Sequence, residues 1–323
     1  MTENDKEYVV LFDTNSYRQF VMGKSTEKVL EEINELKEFE KKKNITSCGI
    51  MVVALEMLGN LAEGENGFNY KDCLNGLLAM TTHCLDEEKN APRFTPQPYL
   101  HIARSFFNTV PTDMENKVQN LIGVANDLRT DLDKALKTHT ENDTFNQVKA
   151  FIEREENQFA TQITDLIEGA RQEIIRKHPK IANKQLRAKL LDYIENGPFE
   201  PFVALAIIYA VAANLQLQLP QDEGVKRAFT MHLEFPLSVG FFKWISHKIV
   251  FDNIDMQSKT SKEKRWNWHW DYQVSFLVNG HTLANKEVIL VTSDGDVIEM
   301  LKDFGYENKV FTITDYLNYL KQS

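Results

Sequence analysis

Tyr8 to Asp13, YVVLFD, is a short β-branched apolar run that ends in an acid. Apolar at successive rather than alternate positions, it predicts a strand buried on both faces of a parallel sheet, with Asp13 at its carboxyl end. Glu287 to Val291, EVILV, repeats the pattern near the other end of the chain and runs into Thr292-Ser293-Asp294-Gly295-Asp296. In an open parallel sheet the ligand site lies beyond the carboxyl ends of the strands. The two runs therefore predict Asp13 and Asp294 at one rim.

Working outward from Asp13, Ser25 to Lys43 has Val29, Leu30, Ile33, Leu36 and Phe39 at helical spacing. NITSCGI then reads as a second strand, and Ile50 to Ala62 as a short apolar helix carrying Glu56. After Asp296, Val297 to Phe304 suits a helix ending near Gly305, Lys309 to Ile313 a last strand, and Thr314 to Lys321 a terminal helix. From Gly64 to Phe235 there are few β-branched runs. Long polar stretches at helical spacing replace them, such as Met114 to Lys137 and Thr144 to Lys177. Asn142-Asp143, His178-Pro179, Asn196-Gly197-Pro198 and Leu219-Pro220 break that middle. The expected architecture is an α/β fold: a parallel sheet flanked by helices, formed by residues 1–63 and 236–323, with an all-helical insertion over 64–235.

Of 323 residues, 42% are hydrophobic and 26% charged, the balance of an ordinary soluble globular chain. A net charge of −10 excludes a protein that coats nucleic acid over its whole surface, but permits a local basic groove. Cys48, Cys73 and Cys84 form no C-x-x-C pair, which fits a reduced cytoplasmic protein better than a disulfide framework or a structural zinc site. MTENDKEYVVLF lacks the basic start and longer apolar core of a signal peptide and is read as the mature start. The most apolar segment, Phe202 to Ala213, falls short of the roughly 20 residues that span a bilayer, so a core helix and no membrane are expected.

Two more acids stand in apolar surroundings: Glu56 in MVVALEMLGNL and Asp271 at the head of DYQVSFLV. Gathering carboxylates is costly, since two unit charges about 4 Å apart repel by about 4 kcal/mol at an effective dielectric near 20. Mg²⁺ or Mn²⁺ would offset that repulsion, because hard cations prefer oxygen ligands. The matching chemistry is phosphodiester hydrolysis by metal-activated water.

VVLFDTNSY with Asp13, VVALEML with Glu56, WDYQVSFLV with Asp271, and VILVTSDGD with Asp294 and Asp296 together resemble the PIN-domain nucleases, in this order along the chain. The resemblance covers about the first 60 and last 80 residues and is silent on the middle. It implies a Mg²⁺- or Mn²⁺-dependent nuclease, a ribonuclease before a DNA nuclease, with Asp13, Glu56, Asp271, Asp294 and Asp296 holding metal. Asn15 and Thr292 match polar positions that orient or supplement those acids.

Two segments are locally basic. Arg176, Lys177, Lys180, Lys184, Arg187 and Lys189 read best as a solvated helix face. Lys259, Lys262, Lys264 and Arg265 lead into Trp266, Trp268, His269 and Trp270, beside Asp271. There, Lys262, Lys264, Arg265 and Trp268 are the candidate contacts to nucleic acid, by charge and by base stacking. The helical insertion would bind substrate, a regulatory protein or a second copy. A haloacid-dehalogenase-like phosphatase also begins with an acid after a buried strand, but it wants another Asp where Asn15 stands. No G-x-x-x-x-G-K-[ST] loop is present. The non-enzymatic alternative is an inactive PIN-like scaffold that serves as a protein-interaction module.

Overall fold

The structure, a computed structural model, describes residues 6–95, 97–278, 283 and 285–322, and the side chains of these except at 112–114 and 262–266. It is mixed α/β with a central parallel sheet flanked by helices. The chain divides into two compact units. Met1–Leu100, Val110–Ile152 and His281–Ser323 make the first, and His101–Thr109 with Glu153–Gly280 the second.

The central sheet of the first unit has four parallel strands, β1 (Tyr8–Phe12), β2 (Ile45–Ser47), β3 (Glu287–Val291) and β4 (Val310–Phe311), in the spatial order β2-β1-β3-β4. β1 and β3 pair along their full length, from Tyr8 opposite Glu287 to Phe12 opposite Val291. Val10, Leu11, Phe12, Leu290 and Val291 are at most 1% exposed. Burying each such side chain contributes about 1.5–3 kcal/mol, so this pair anchors the unit. The last strand is shorter than Lys309 to Ile313. Thr312 ends it by capping the helix Ile313–Lys321, its hydroxyl accepting from the Asp315 amide at 3.1 Å.

Periodicity does not reveal α1 (Thr14–Val21), since eight residues are too few to show a stripe. Its start is set by a cap, the Asp13 carboxylate. α2 (Thr26–Lys42) follows Ser25, whose hydroxyl caps it, and buries Val29, Ile33 and Leu36. α3 (Met51–Asn60) is buried almost all round, with Glu56 half-buried among Leu55, Met57 and Leu58. α4 (Tyr70–His83) packs on α1, α2 and α3. That packing is why residues 64–100 belong with the sheet rather than with a helical body starting at residue 64. Spacing shows that a helix has an apolar face, not which neighbour the face meets.

α4 also carries a buried polar cluster into this core. His83, 0% exposed, donates from Nε2 to Glu40 Oε2 at 2.9 Å and accepts the Tyr17 hydroxyl at Nδ1, 3.0 Å away. Tyr316 donates to Glu40 Oε1 at 2.8 Å, and Ser47 to the His83 carbonyl at 2.5 Å. Phe12 presents its ring to Tyr17, His83 and Tyr316. One carboxylate thus ties α2, α4 and the C-terminal helix to the strand that ends at Asp13.

The second unit is helical, and the breaks expected at His178-Pro179, Asn196-Gly197-Pro198 and Leu219-Pro220 all fall between helices. The helix Phe199–Asn214 buries Phe199, Val203, Ala204, Ile208, Val211 and Ala212. Its Tyr209 lies so close to Gly224 of the helix Gln221–Glu234 that a Cβ there would come within 2.7 Å of the phenol oxygen. Among the described residues no single helix is long and apolar enough to cross a membrane. The basic segment 176–189 is partly committed. Arg176 and Lys177 pair with Glu173 at 2.9 and 3.1 Å, and Arg187 donates to the carbonyls of Val250 and Phe251 at the end of the helix Pro236–Asp252.

His269 belongs to this unit's aromatic interior, between Phe159 and Trp270 with ring centroids at 5.2 and 4.7 Å. Gln273 donates to its Nε2 at 2.7 Å, and its buried Nδ1 has no hydrogen-bond partner. Burial lowers the imidazole from 6.5 to about 4. The folded protein holds the ring neutral, while the unfolded chain takes up a proton below about pH 6.5. Its stabilising contribution is therefore full above about pH 6.5 and is lost as pH falls towards 4, on the order of 3 kcal/mol. Melting curves between pH 7 and pH 4 should show this decline, and His269→Gln should flatten it. Equal slopes for the two proteins would contradict the assignment.

Candidate functional site

Asp13 follows β1 and Thr292-Ser293-Asp294 follows β3, and the register of the two strands brings both segments off the sheet at the same rim. The Asp13 amide donates to the Val291 carbonyl at 3.0 Å, and the Thr292 amide to that of Phe311 at 2.9 Å. Thr292, 1% exposed, joins the two acids. Its hydroxyl donates to Asp13 Oδ2 at 2.5 Å and accepts from the Asp294 amide at 3.0 Å. Asp13 Oδ1 takes the Ser16 amide at 2.6 Å, and the Ser16 hydroxyl reaches the Val291 carbonyl at 3.0 Å. Asp294 Oδ1 takes the Val297 amide at 3.0 Å and caps the helix Gly295–Asp303. Each acid therefore sits at a helix N-terminus, where the helix dipole favours negative charge.

Asp13 is 7% exposed. Burial raises its carboxyl above the usual range, hydrogen bonds from Ser16 and Thr292 pull it back down, and the nearby Asp294 charge raises it again. Among the described residues, neither acid is paired with a lysine or arginine.

Glu56 is tied to the same place through Thr14, whose hydroxyl donates to Glu56 Oε2 at 2.5 Å. Thr14 directly follows Asp13, so two threonines hold three acids in relation to the rim. Spacing alone passed over Thr14 and Ser16. The available signal was the pair of hydroxyls flanking Asn15 just after a capping Asp. Asn15 itself is exposed, and its neighbours orient the acids. Asp296 lies half-buried in the first turn of the helix Gly295–Asp303.

Asp271 lies half-buried on the helix Lys262–Ser275, which belongs to the second unit, whereas Asp13, Glu56 and Asp294 belong to the first. Trp268 is 5% exposed, its ring edge-on to Trp244. A ring so enclosed presents no open face on which a base can stack, and its apolar area serves packing instead. The side chains of Lys262, Lys264 and Arg265 lie outside the described residues. Among those described, no three His, Cys, Asp or Glu side chains are grouped so as to hold a metal ion. The rim presents the Asp13 carboxylate, linked through the Thr292 hydroxyl to the backbone of Asp294, with Glu56 tied beside it through Thr14.

No family model, no curated protein and no solved structure matches the chain.

If Thr292 is the bridge, Thr292→Val, which keeps the shape and removes the hydroxyl, should cost about 1–3 kcal/mol in urea unfolding. A midpoint equal to wild type would mean that the hydroxyl does not hold Asp13.

Proposed function

We propose that this chain is a PIN-like nuclease: a Mg²⁺- or Mn²⁺-dependent hydrolase of phosphodiester bonds in nucleic acid, RNA before DNA. Its acids are Asp13, Glu56 and Asp294, with Asp296 beside them. The observation that carries the reading is the Thr292 hydroxyl, which joins the Asp13 carboxylate to the backbone of Asp294 and so keeps two acids at one rim, neither of them in an ion pair among the described residues. A magnesium ion fits such a set, because it commonly takes one or two carboxylates and fills its remaining positions with water and substrate phosphate. When bound, the ion supplies activation of water and neutralisation of charge on the phosphodiester oxygens.

The chain's own residues set the geometry. Thr292 and Ser16 each engage one oxygen of Asp13 and leave each oxygen a further lone pair. Thr14 restrains Glu56 in the same way. The three cysteines are free and buried, which agrees with action in the cytoplasm. The helical second unit offers surfaces for substrate, a regulatory protein or a second copy.

One observation favours a second reading. Asp13 and Asp294 both serve as helix caps, so they have a structural use without any metal. On that reading the protein is an inactive PIN-like interaction module. Incubation with end-labelled RNA, single-stranded DNA and structured DNA, in Mn²⁺, Mg²⁺ or EDTA, separates the two. Cleavage that requires metal supports the nuclease. Intact substrates in every arm, with candidate partner proteins present, leave only the interaction module.

A further inference from the structure

Arg18 stands on α1 one turn beyond Thr14, so on a helix the two side chains are neighbours. Thr14 holds Glu56, which places a guanidinium beside the carboxylate rim. The thiol of Cys73 registers both groups. Burial pushes it up to about 12, Arg18 pulls it down, and Glu56 pushes it up. Both charges therefore flank one buried side chain.

The partners of Arg18 are unusual for a half-buried cation. Its Nη2 donates to Asn69 Oδ1 at 2.6 Å, a neutral acceptor, and its Nε is buried without a hydrogen-bond partner. Among the described residues no ion pair holds it. A guanidinium carries five donors in a rigid fork, and a buried donor left unmade is costly. The fork matches the oxygens of a phosphate better than any other common anion except a carboxylate. No carboxylate among the described residues forms an ion pair with this guanidinium, so its open donors await an anion from outside the chain.

We propose that Arg18 is the anion-binding group of this rim, taking a phosphate oxygen of a nucleic-acid strand that passes the carboxylates. The inference rests on reading the rim as a phosphodiester site. It adds a positively charged contact on the first unit itself, independent of the basic segments in the second.

The test is fluorescence anisotropy with a labelled single-stranded 12-nucleotide RNA in EDTA. Asp13→Asn protein is the background, so that cleavage is off and one repelling charge is gone. Arg18→Gln in that background should weaken binding at least tenfold and should reduce the slope of log affinity against log salt by about 1, the signature of a lost phosphate contact. Arg18→Lys should recover part of the affinity, since it keeps the charge without the fork. Asn69→Ala, which removes only the neutral acceptor, should bind within twofold of the background. An Arg18→Gln protein with unchanged affinity and salt slope overturns the proposal. So does an Asn69→Ala protein that loses as much affinity as Arg18→Gln, because the arginine would then be acting through structure. If Arg18→Gln does not fold, Arg18→Lys decides, with unchanged affinity again overturning the proposal. Wild-type protein that cleaves nothing, while Arg18→Gln still loses RNA binding, removes the nuclease reading and keeps the anion site. Wild-type cleavage that Arg18→Gln retains in full does the reverse.

Discussion

Asp13→Asn is expected to abolish Mn²⁺-dependent cleavage while leaving the protein as stable as wild type or more so. The two effects share one cause. The Asp13 carboxyl is buried, and burial with the neighbouring Asp294 charge makes its ionised form unfavourable. An asparagine removes the charge but keeps an oxygen to accept the Ser16 amide, and Asn is as good a cap as Asp. Because the folded pKa is raised, ionised Asp13 subtracts from stability at neutral pH. Relief of that charge should therefore raise the melting temperature. Metal affinity goes the other way, since a neutral amide replaces an anionic ligand. Asp294→Asn should be equally inactive, with a smaller change in melting temperature, because Asp294 is only half-buried. Cleavage rates and calorimetry on the same samples check both halves. An Asp13→Asn protein that still cleaves at the wild-type rate removes Asp13 from the chemistry. One that is inactive and also unfolded shows that the Thr292 hydroxyl needs the second carboxylate oxygen of Asp13 for the fold to hold.

Glu40→Ala should be the most destabilising single change in the first unit. Its carboxylate, 2% exposed, receives both His83 and Tyr316. Removing it leaves two buried donors unmade, at about 1–3 kcal/mol each, or roughly 3–5 kcal/mol together. For a unit of this size that is a fall on the order of 10 °C in melting temperature. Glu40→Gln should cost less, since the amide oxygen can still accept from one donor. Calorimetry that places Glu40→Ala within 2 °C of wild type would show the cluster to be dispensable.

The central strands were legible because a strand buried on both faces has a local signature, and YVVLF and EVILV carry it without interruption. Their carboxyl ends gave Asp13 and Asp294 by the same logic. α1 was not legible, as its cap and its tertiary packing, rather than periodicity, make it a helix. The tie from Thr14 to Glu56 links residues 42 apart through packing of α1 near α3, which no spacing rule encodes. In the middle of the chain, amphipathic spacing found helices and their breaks but could not say that α4 belongs with the sheet. Trp268 shows the same limit for side chains. An aromatic next to basic residues looks like a base platform until its ring is found against Trp244.

The pairing of Tyr8 with Glu287 also sets a clock. On a ribosome adding roughly 5–20 residues per second, β1 emerges tens of seconds before the strand that completes its far edge. Until then Asp13 has neither Thr292 to hold it nor Asp294 to accompany it. A nascent chain thus carries half of its rim for as long as the residues between the two strands take to be added. If the rim cuts RNA, the message being translated is spared until that second strand has emerged.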